Sequence, residues 1–207
     1  MKITGAGLAV RVSGRVQASV MLGLLLLTGL TGAIIPAVAS ALNPVSVYVV
    51  RHAEKGVDDA NDPSLSVAGA QRADALALAL ADAGVGTIIT THLKRTQATA
   101  APLAARLGIK PVVLTVKRGE GAAHIDDVVA AVEQARRRQK GAVLIVGHSN
   151  TVPQIVTRLS SVPMAAICDS EYADLLVISL PAAEKEPARL TRARYGAADT
   201  AGGADCR

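Results

Sequence analysis

The sequence predicts an α/β domain: a three-layer α/β/α sandwich around a mostly parallel central sheet. Three observations carry this. From Val45 onward, short strand-like runs alternate with longer segments of helical period. The runs "VSVYVV" and "GAVLIVGHSN" are almost unbroken in apolar residues, as strands buried on both faces are. Half of the 207 residues are hydrophobic, yet Trp and Phe are absent and Tyr48, Tyr172 and Tyr195 are the only aromatics. A core of Ala, Val, Leu and Ile suits helices packed closely on β-branched strands. The length fits one such domain, with no internal repeat and no interdomain linker.

Residues 1–41 are of a different material. Lys2, Arg11 and Arg15 open the chain, and no acidic residue occurs before Glu54. "SVMLGLLLLTGLTGAII" then supplies an apolar stretch ending at Pro36, followed by small residues suited to cleavage at Ala37-Val38-Ala39 or Ala39-Ser40-Ala41. This predicts a signal peptide over 1–41, a mature domain over 42–207, and export to the periplasm or the cell exterior. An uncleaved membrane anchor is the duller alternative; with cleavage, no stable membrane association remains. The net charge of +5 misleads, because three of the 22 basic residues and none of the 17 acidic ones lie in that segment. What remains is too balanced for a nucleic-acid partner.

Within the domain, "VSVYVV" is the first strand and "VDDANDPSLS" a loop punctuated by Asp and Pro. Ser66 caps a helix through "VAGAQRADALALALADAG" that ends at Gly84. "GTIITT" is the second strand, and "LKRTQATAAPLAARLG" a helix stopped at Gly108 and bent by Pro102. "KPVVLTV" is the third strand. The next helix, "HIDDVVAAVEQARRRQ", has Ile125, Val128, Val129 and Val132 at helical spacing. Arg136, Arg137 and Arg138 read as its solvated C-terminus, complementing the dipole. "GAVLIVGHSN" is the fourth strand, and "TVPQIVTRLS" a helix with Pro153 in its first turn. "YADLLVISLP" and "ARLTRARYG" read as later, more exposed, antiparallel strands. Asp169, Ser170 and Glu171 make a turn before Tyr172. In an exported chain, Cys168 and Cys206 are expected to pair, closing a loop of about 38 residues at a gain on the order of 3–4 kcal/mol.

The first strand runs into Arg51-His52, the fourth into Gly147-His148, and the second ends just before Arg95. Ligands of open α/β sheets sit beyond the carboxyl ends of the strands. An unprotonated imidazole is a competent nucleophile, and neighbouring guanidinium groups disfavour its protonation. They also bind phosphoryl oxygens with fork geometry. A second imidazole donates to a third oxygen where charge gathers. Arg51, His52, Arg95 and His148 are a kit for phosphoryl transfer.

At these residues the chain resembles the histidine phosphatase superfamily, with its phosphoglycerate mutase-like fold. "VVRHAEK" is similar to its R-H-G motif, with Ala53 for Gly. "LSVAGAQRADAL" resembles the L-[ST]-x-x-G-x-x-[QR]-A segment, and "THLKRTQATAAPLA" the S-x-L-x-R-A-x-x-T-A segment. "VLIVGHSN" is similar to the strand that ends in the second histidine, with Ser149 where Gly is frequent. The resemblance spans Val45 to Leu159 in family order. It implies that His52 attacks phosphorus and becomes phosphohistidine, with Arg51, Arg95 and His148 holding the phosphoryl oxygens of a small phosphorylated substrate. It implies no metal and no organic cofactor. The leaving-group acid is usually a Glu or Asp after the third strand; here Glu120 is the candidate proton donor, with Asp126, Asp127, His124 and Glu54 as further possibilities. The expected activity is hydrolysis of phosphomonoesters, a mutase being disfavoured by export. The alternative is a catalytically inactive exported phosphate-binding protein of the same fold.

Plainer assignments apply elsewhere. Arg72, Lys94 and Arg106 read as exposed helix cations, and His92 and His124 as surface or loop residues. No paired-ligand spacing supports a zinc site among the four histidines. "GHSNT" lacks the final Gly of a serine nucleophile elbow.

Overall fold

β1 (Val45–Arg51) lies inside a six-stranded sheet, between β4 (Ala142–Gly147) and β5 (Asp174–Leu180). In the computed structural model, which describes residues 43–117, 119–183 and 186–199, the strand order is β3-β2-β4-β1-β5-β6. β2 is Val85–Thr91, β3 is Val112–Leu114 and β6 is Arg189–Arg194. β1, β2, β3 and β4 run parallel, while β5 is antiparallel to both β1 and β6. The predicted signal segment, both cleavage motifs and Cys206 lie outside the described residues.

Helices cover both faces. α1 (Val67–Ala79) and α2 (Lys94–Leu107) pack on one side, where Leu76, Leu103 and Ala100 meet Val50, Ile88 and Leu144. α3 (Gly121–Arg137) and α4 (Val152–Ser160) cover the other, where Val128, Val132, Ile155 and Val156 meet Val49, Ile89 and Ile145. Alternate residues of each central strand feed opposite cores, which is why those strands read as continuous apolar runs. This is the predicted three-layer α/β/α arrangement and the phosphoglycerate mutase-like fold.

Ser66 caps α1 as expected, its Oγ accepting the Gly69 N–H at 3.1 Å. The helix stops at Ala79 rather than running to Gly84. Bonds from Ala81 to Leu78 and from Ala83 to Leu80 tighten the chain there, and Gly84 turns it in the left-handed region. β3 keeps only three residues, because it is an edge strand paired to β2 alone. β5 is more buried than predicted, since it sits between β1 and β6; β6, at the edge, is exposed. Arg136 is drawn out of the solvated helix end: it donates to Pro181 O at 2.8 Å and pairs with Glu133 at 3.0 Å.

Candidate active site

The parallel strands β1, β2 and β4 all end at one edge of the sheet, and their ends deliver the two histidines together. His52 and His148 are both buried, with ring centroids 5.4 Å apart in an edge-on arrangement. Main-chain pairing sets this spacing, because Arg51 is in register with Gly147 and the His52 N–H donates to Gly147 O at 2.9 Å. Gly147 has little room for a side chain: a Cβ there would stand 3.0 Å from Val152 Cγ2 and 3.1 Å from Thr151 Oγ1. Thr151 Oγ1 in turn accepts the His148 N–H at 3.0 Å.

His52 Nδ1 lies 2.8 Å from Ala53 O. A carbonyl oxygen only accepts, so Nδ1 carries the proton and Nε2 keeps its lone pair. Burial is the largest influence on this ring and pushes its pKa down to about 4, against the Ala53 bond that raises it; the charges of Arg51, Arg95 and Lys55 push the same way as burial. His148 is pushed down to about 3, first by burial and then by His52, Arg95, His124 and Arg51. Both rings are therefore neutral at physiological pH.

Hydroxyls of α2 and of the end of β2 hold the surroundings of both histidines. Thr99 Oγ1 donates to Arg95 O at 2.7 Å and accepts the Ala53 N–H at 2.9 Å, fixing the residue whose carbonyl orients His52. Thr91 Oγ1 sits 3.1 Å from His148 Nε2 and 2.9 Å from Thr96 Oγ1. Arg95, between these threonines, is mostly buried and lies 3.7 Å from Asp62 Oδ1. Asp62 Oδ1 also accepts the Lys94 N–H at the start of α2, 2.9 Å away, where a carboxylate suits the helix dipole.

Arg51 is held from the opposite side. Its Nη1 donates to the carbonyls of Cys168, Asp169 and Glu171 at 2.7, 3.2 and 3.1 Å, and Nη2 to Tyr172 Oη at 3.3 Å. The guanidinium carbon stands 4.1 Å from the centre of the Tyr172 ring, itself 6.3 Å from the His52 ring. The fork that the sequence assigns to phosphoryl oxygens is thus turned onto loop carbonyls. Its Nε is buried with no hydrogen-bond partner among the described residues. The turn predicted over Asp169–Glu171 exists, but its role in the site, and that of Tyr172, gave no sequence signal.

Several assignments are corrected. Arg72 is buried rather than exposed: its Nε and Nη2 grip Glu54 at 2.7–3.0 Å, and Nη1 donates to Tyr195 O and Ala197 O. Glu54 is thereby committed to a structural pair. Gly69 belongs to the same junction, since a Cβ there would fall 2.2 Å from Glu54 O. His124 is also buried, and its Nδ1 has no partner among the described residues. His92 is exposed, accepting the Val116 N–H at 3.2 Å.

Glu120 is exposed at the start of α3 and lies 3.5 Å from Lys117 Nζ. Asp126 pairs on the surface with Arg158 at 3.1 Å. A groove of about 570 Å³ between α3 and α4, lined by Ile125, Asp126, Pro153, Thr157 and Met164, contains neither histidine of the pair and neither arginine. Among the described residues no group of three or more His, Cys, Asp or Glu is placed to hold a metal ion.

A sheet edge that presents two neutral histidines beside the buried Arg51 and the partly buried Arg95 is suited to an anionic group such as a phosphoryl. Residues 47–117 match the model of the histidine phosphatase superfamily (branch 1). No curated protein matches it in sequence. Among solved structures it is similar to the protein histidine phosphatase SixA complexed with tungstate, at 15% identity and a TM-score of 0.57, over 72% of this chain and 97% of that one. It is also similar to a mycobacterial glucosyl-3-phosphoglycerate phosphatase with inorganic phosphate, at 18% identity and 0.57, over 71% and 95%. A putative phosphohistidine phosphatase SixA from Nakamurella multipartitia gives 22% and 0.54, over 75% and 98%.

Proposed function

We propose that this protein is a phosphatase that hydrolyses small phosphomonoesters through a phosphohistidine at His52. The observation that carries the reading is the His52 ring: Nδ1 committed to Ala53 O at 2.8 Å and the pKa near 4, leaving a neutral Nε2 lone pair beside two arginines and a second imidazole. In this reading His52 Nε2 attacks phosphorus while Arg95, His148 and Arg51 Nε, which has no partner among the described residues, hold the phosphoryl oxygens. Burying an N–H without an acceptor costs about 1–3 kcal/mol, and a bound phosphoryl oxygen would remove that cost at Arg51. Water then hydrolyses the adduct.

The test is a rapid acid-free quench with labelled substrate. Wild type is expected to retain an acid-labile, base-stable phosphoryl group, and His52→Ala to retain none and lose at least about 10³-fold in turnover. Substantial turnover by His52→Ala refutes the nucleophile. One observation favours an inactive phosphate-binding protein: three carboxylates considered as the leaving-group acid are committed elsewhere, Glu54 to Arg72, Glu120 to Lys117 and Asp126 to Arg158. Release of phosphate from an aryl phosphate separates the two readings, because that leaving group departs without a proton donor.

Export and a Cys168–Cys206 bridge belong to the same proposal. They rest on the apolar N-terminal segment and on the usual oxidation of cysteine pairs outside the cytosol. Cell fractionation with a mass measurement of the mature chain reads both.

A further inference from the structure

Thr96 stands on the first turn of α2, where the family segment quoted above has alanine. It is completely buried. Its hydroxyl lies 3.1 Å from Thr91 O, 2.9 Å from Leu93 O and 2.9 Å from Thr91 Oγ1. Two of these neighbours are carbonyls, which only accept, so the single Thr96 proton goes to them. The Thr91 hydroxyl must then be the donor in the contact between the two threonines. Its oxygen accepts the Leu93 N–H at 3.3 Å. With its own proton given to Thr96, it can only accept again from His148 Nε2, 3.1 Å away. A neutral imidazole has one N–H, so Nδ1 is left with the lone pair.

We propose that Thr96, working through Thr91, is a positioning residue that fixes the Nε2–H tautomer of His148, so that Nδ1 takes a proton from a substrate bound as the phosphate monoanion. The inference rests on the phosphatase reading and names the protonation state of its substrate. The O–H bond of the phosphoryl group breaks, an N–H bond forms at Nδ1, and no other bond changes. The ring becomes an imidazolium bonded at Nε2 to Thr91 and at Nδ1 to the phosphoryl oxygen it has deprotonated. The proton returns when product phosphate leaves as its own monoanion. Burial first, and then the charges of His52, Arg95, His124 and Arg51, oppose a second proton on this ring. A dianionic phosphoryl group among them reverses that balance. The proton that the second histidine needs in order to donate is thus supplied by the substrate.

The test has two arms. Nitrogen-15 NMR of histidine-labelled, ligand-free protein, with His148→Gln to assign the signals, should show His148 protonated at Nε2. Thr96→Val keeps the shape and removes the acceptor, freeing the Thr91 proton for Nε2; the signals should move toward the Nδ1–H form. Thr96→Ser should keep the wild-type pattern. In the second arm, wild-type kcat/KM should fall about tenfold per pH unit above pH ~6, where a phosphomonoester loses its second proton, and Thr96→Val should flatten that fall. An Nδ1–H ring in wild type, or a Thr96→Val variant with wild-type signals, overturns the proposal. A wild type without turnover but with the expected tautomer and its Thr96 dependence would instead overturn the phosphatase reading.

Discussion

The site is held from two sides by different chemistry. On one side, α2 presents hydroxyls three residues apart: Thr99 fixes Ala53, and Thr96 fixes Thr91. On the other, the segment 168–172 grips Arg51 through three main-chain carbonyls, 117 to 120 residues along the chain. A hydroxyl contact depends on which residue is present and leaves a trace in the sequence. A carbonyl contact can be made by any residue whose backbone turns the right way, so it leaves none. The same difference sets how each side fails: the first by substitution, the second by moving the loop.

The widest separation between the two sides should come from the arginines. Arg51→Ala removes a pocket cation and also the donor to three loop carbonyls, so turnover should fall by roughly 10²-fold or more. It should also lower stability by about 1–3 kcal/mol or more for buried carbonyls left unpaired. Arg95→Ala should match the loss of turnover and leave the melting temperature near wild type, because among the described residues Arg95 pairs with the part-exposed Asp62 alone. Equal melting temperatures for the two variants would break the comparison.

Acid probes the two rings between the sides. The unfolded rings take a proton below pH ~6.5, whereas folded His52 stays neutral to about 4 and His148 to about 3. The native state then binds fewer protons, so stability should fall as pH drops from about 6.5 toward 4, by on the order of 3 kcal/mol for His52 alone. A urea-midpoint series over that range checks it, and His52→Gln should flatten the curve. The smallest effect is expected at Thr99. Thr99→Val orphans the buried Ala53 N–H, at about 1–3 kcal/mol, with little change in the Arg51 side. A melting temperature unchanged by this substitution would remove Thr99 from the holding device.

Much of the frame was legible beforehand. The apolar runs of β1 and β4 announced buried parallel strands, Ser66 announced a cap, and Pro153 a helix start. His52, His148, Arg51 and Arg95 could be placed at one edge because parallel strands that turn from apolar to charged residues at their carboxyl ends bring those residues together. Arg72 was misassigned for an identifiable reason. On a helix of small residues it looked like one more solvated cation, and its partners Glu54, Tyr195 and Ala197 lie up to 125 residues away. His124 failed similarly, since a polar residue in a first helical turn carries no mark of burial. Thr96 went unremarked, although a hydroxyl stands there where the pattern has alanine.

By itself the sequence determined the layers, the strand that bears each histidine and the edge at which they meet. These follow from apolar period and strand-end chemistry, which are local properties of the chain. Tertiary structure alone decided which nitrogens carry protons, where the guanidinium of Arg51 turns, and which charged residues are buried pairs rather than surface groups. Those outcomes depend on hydrogen-bond partners brought together by folding, many of them backbone atoms that every residue has in common.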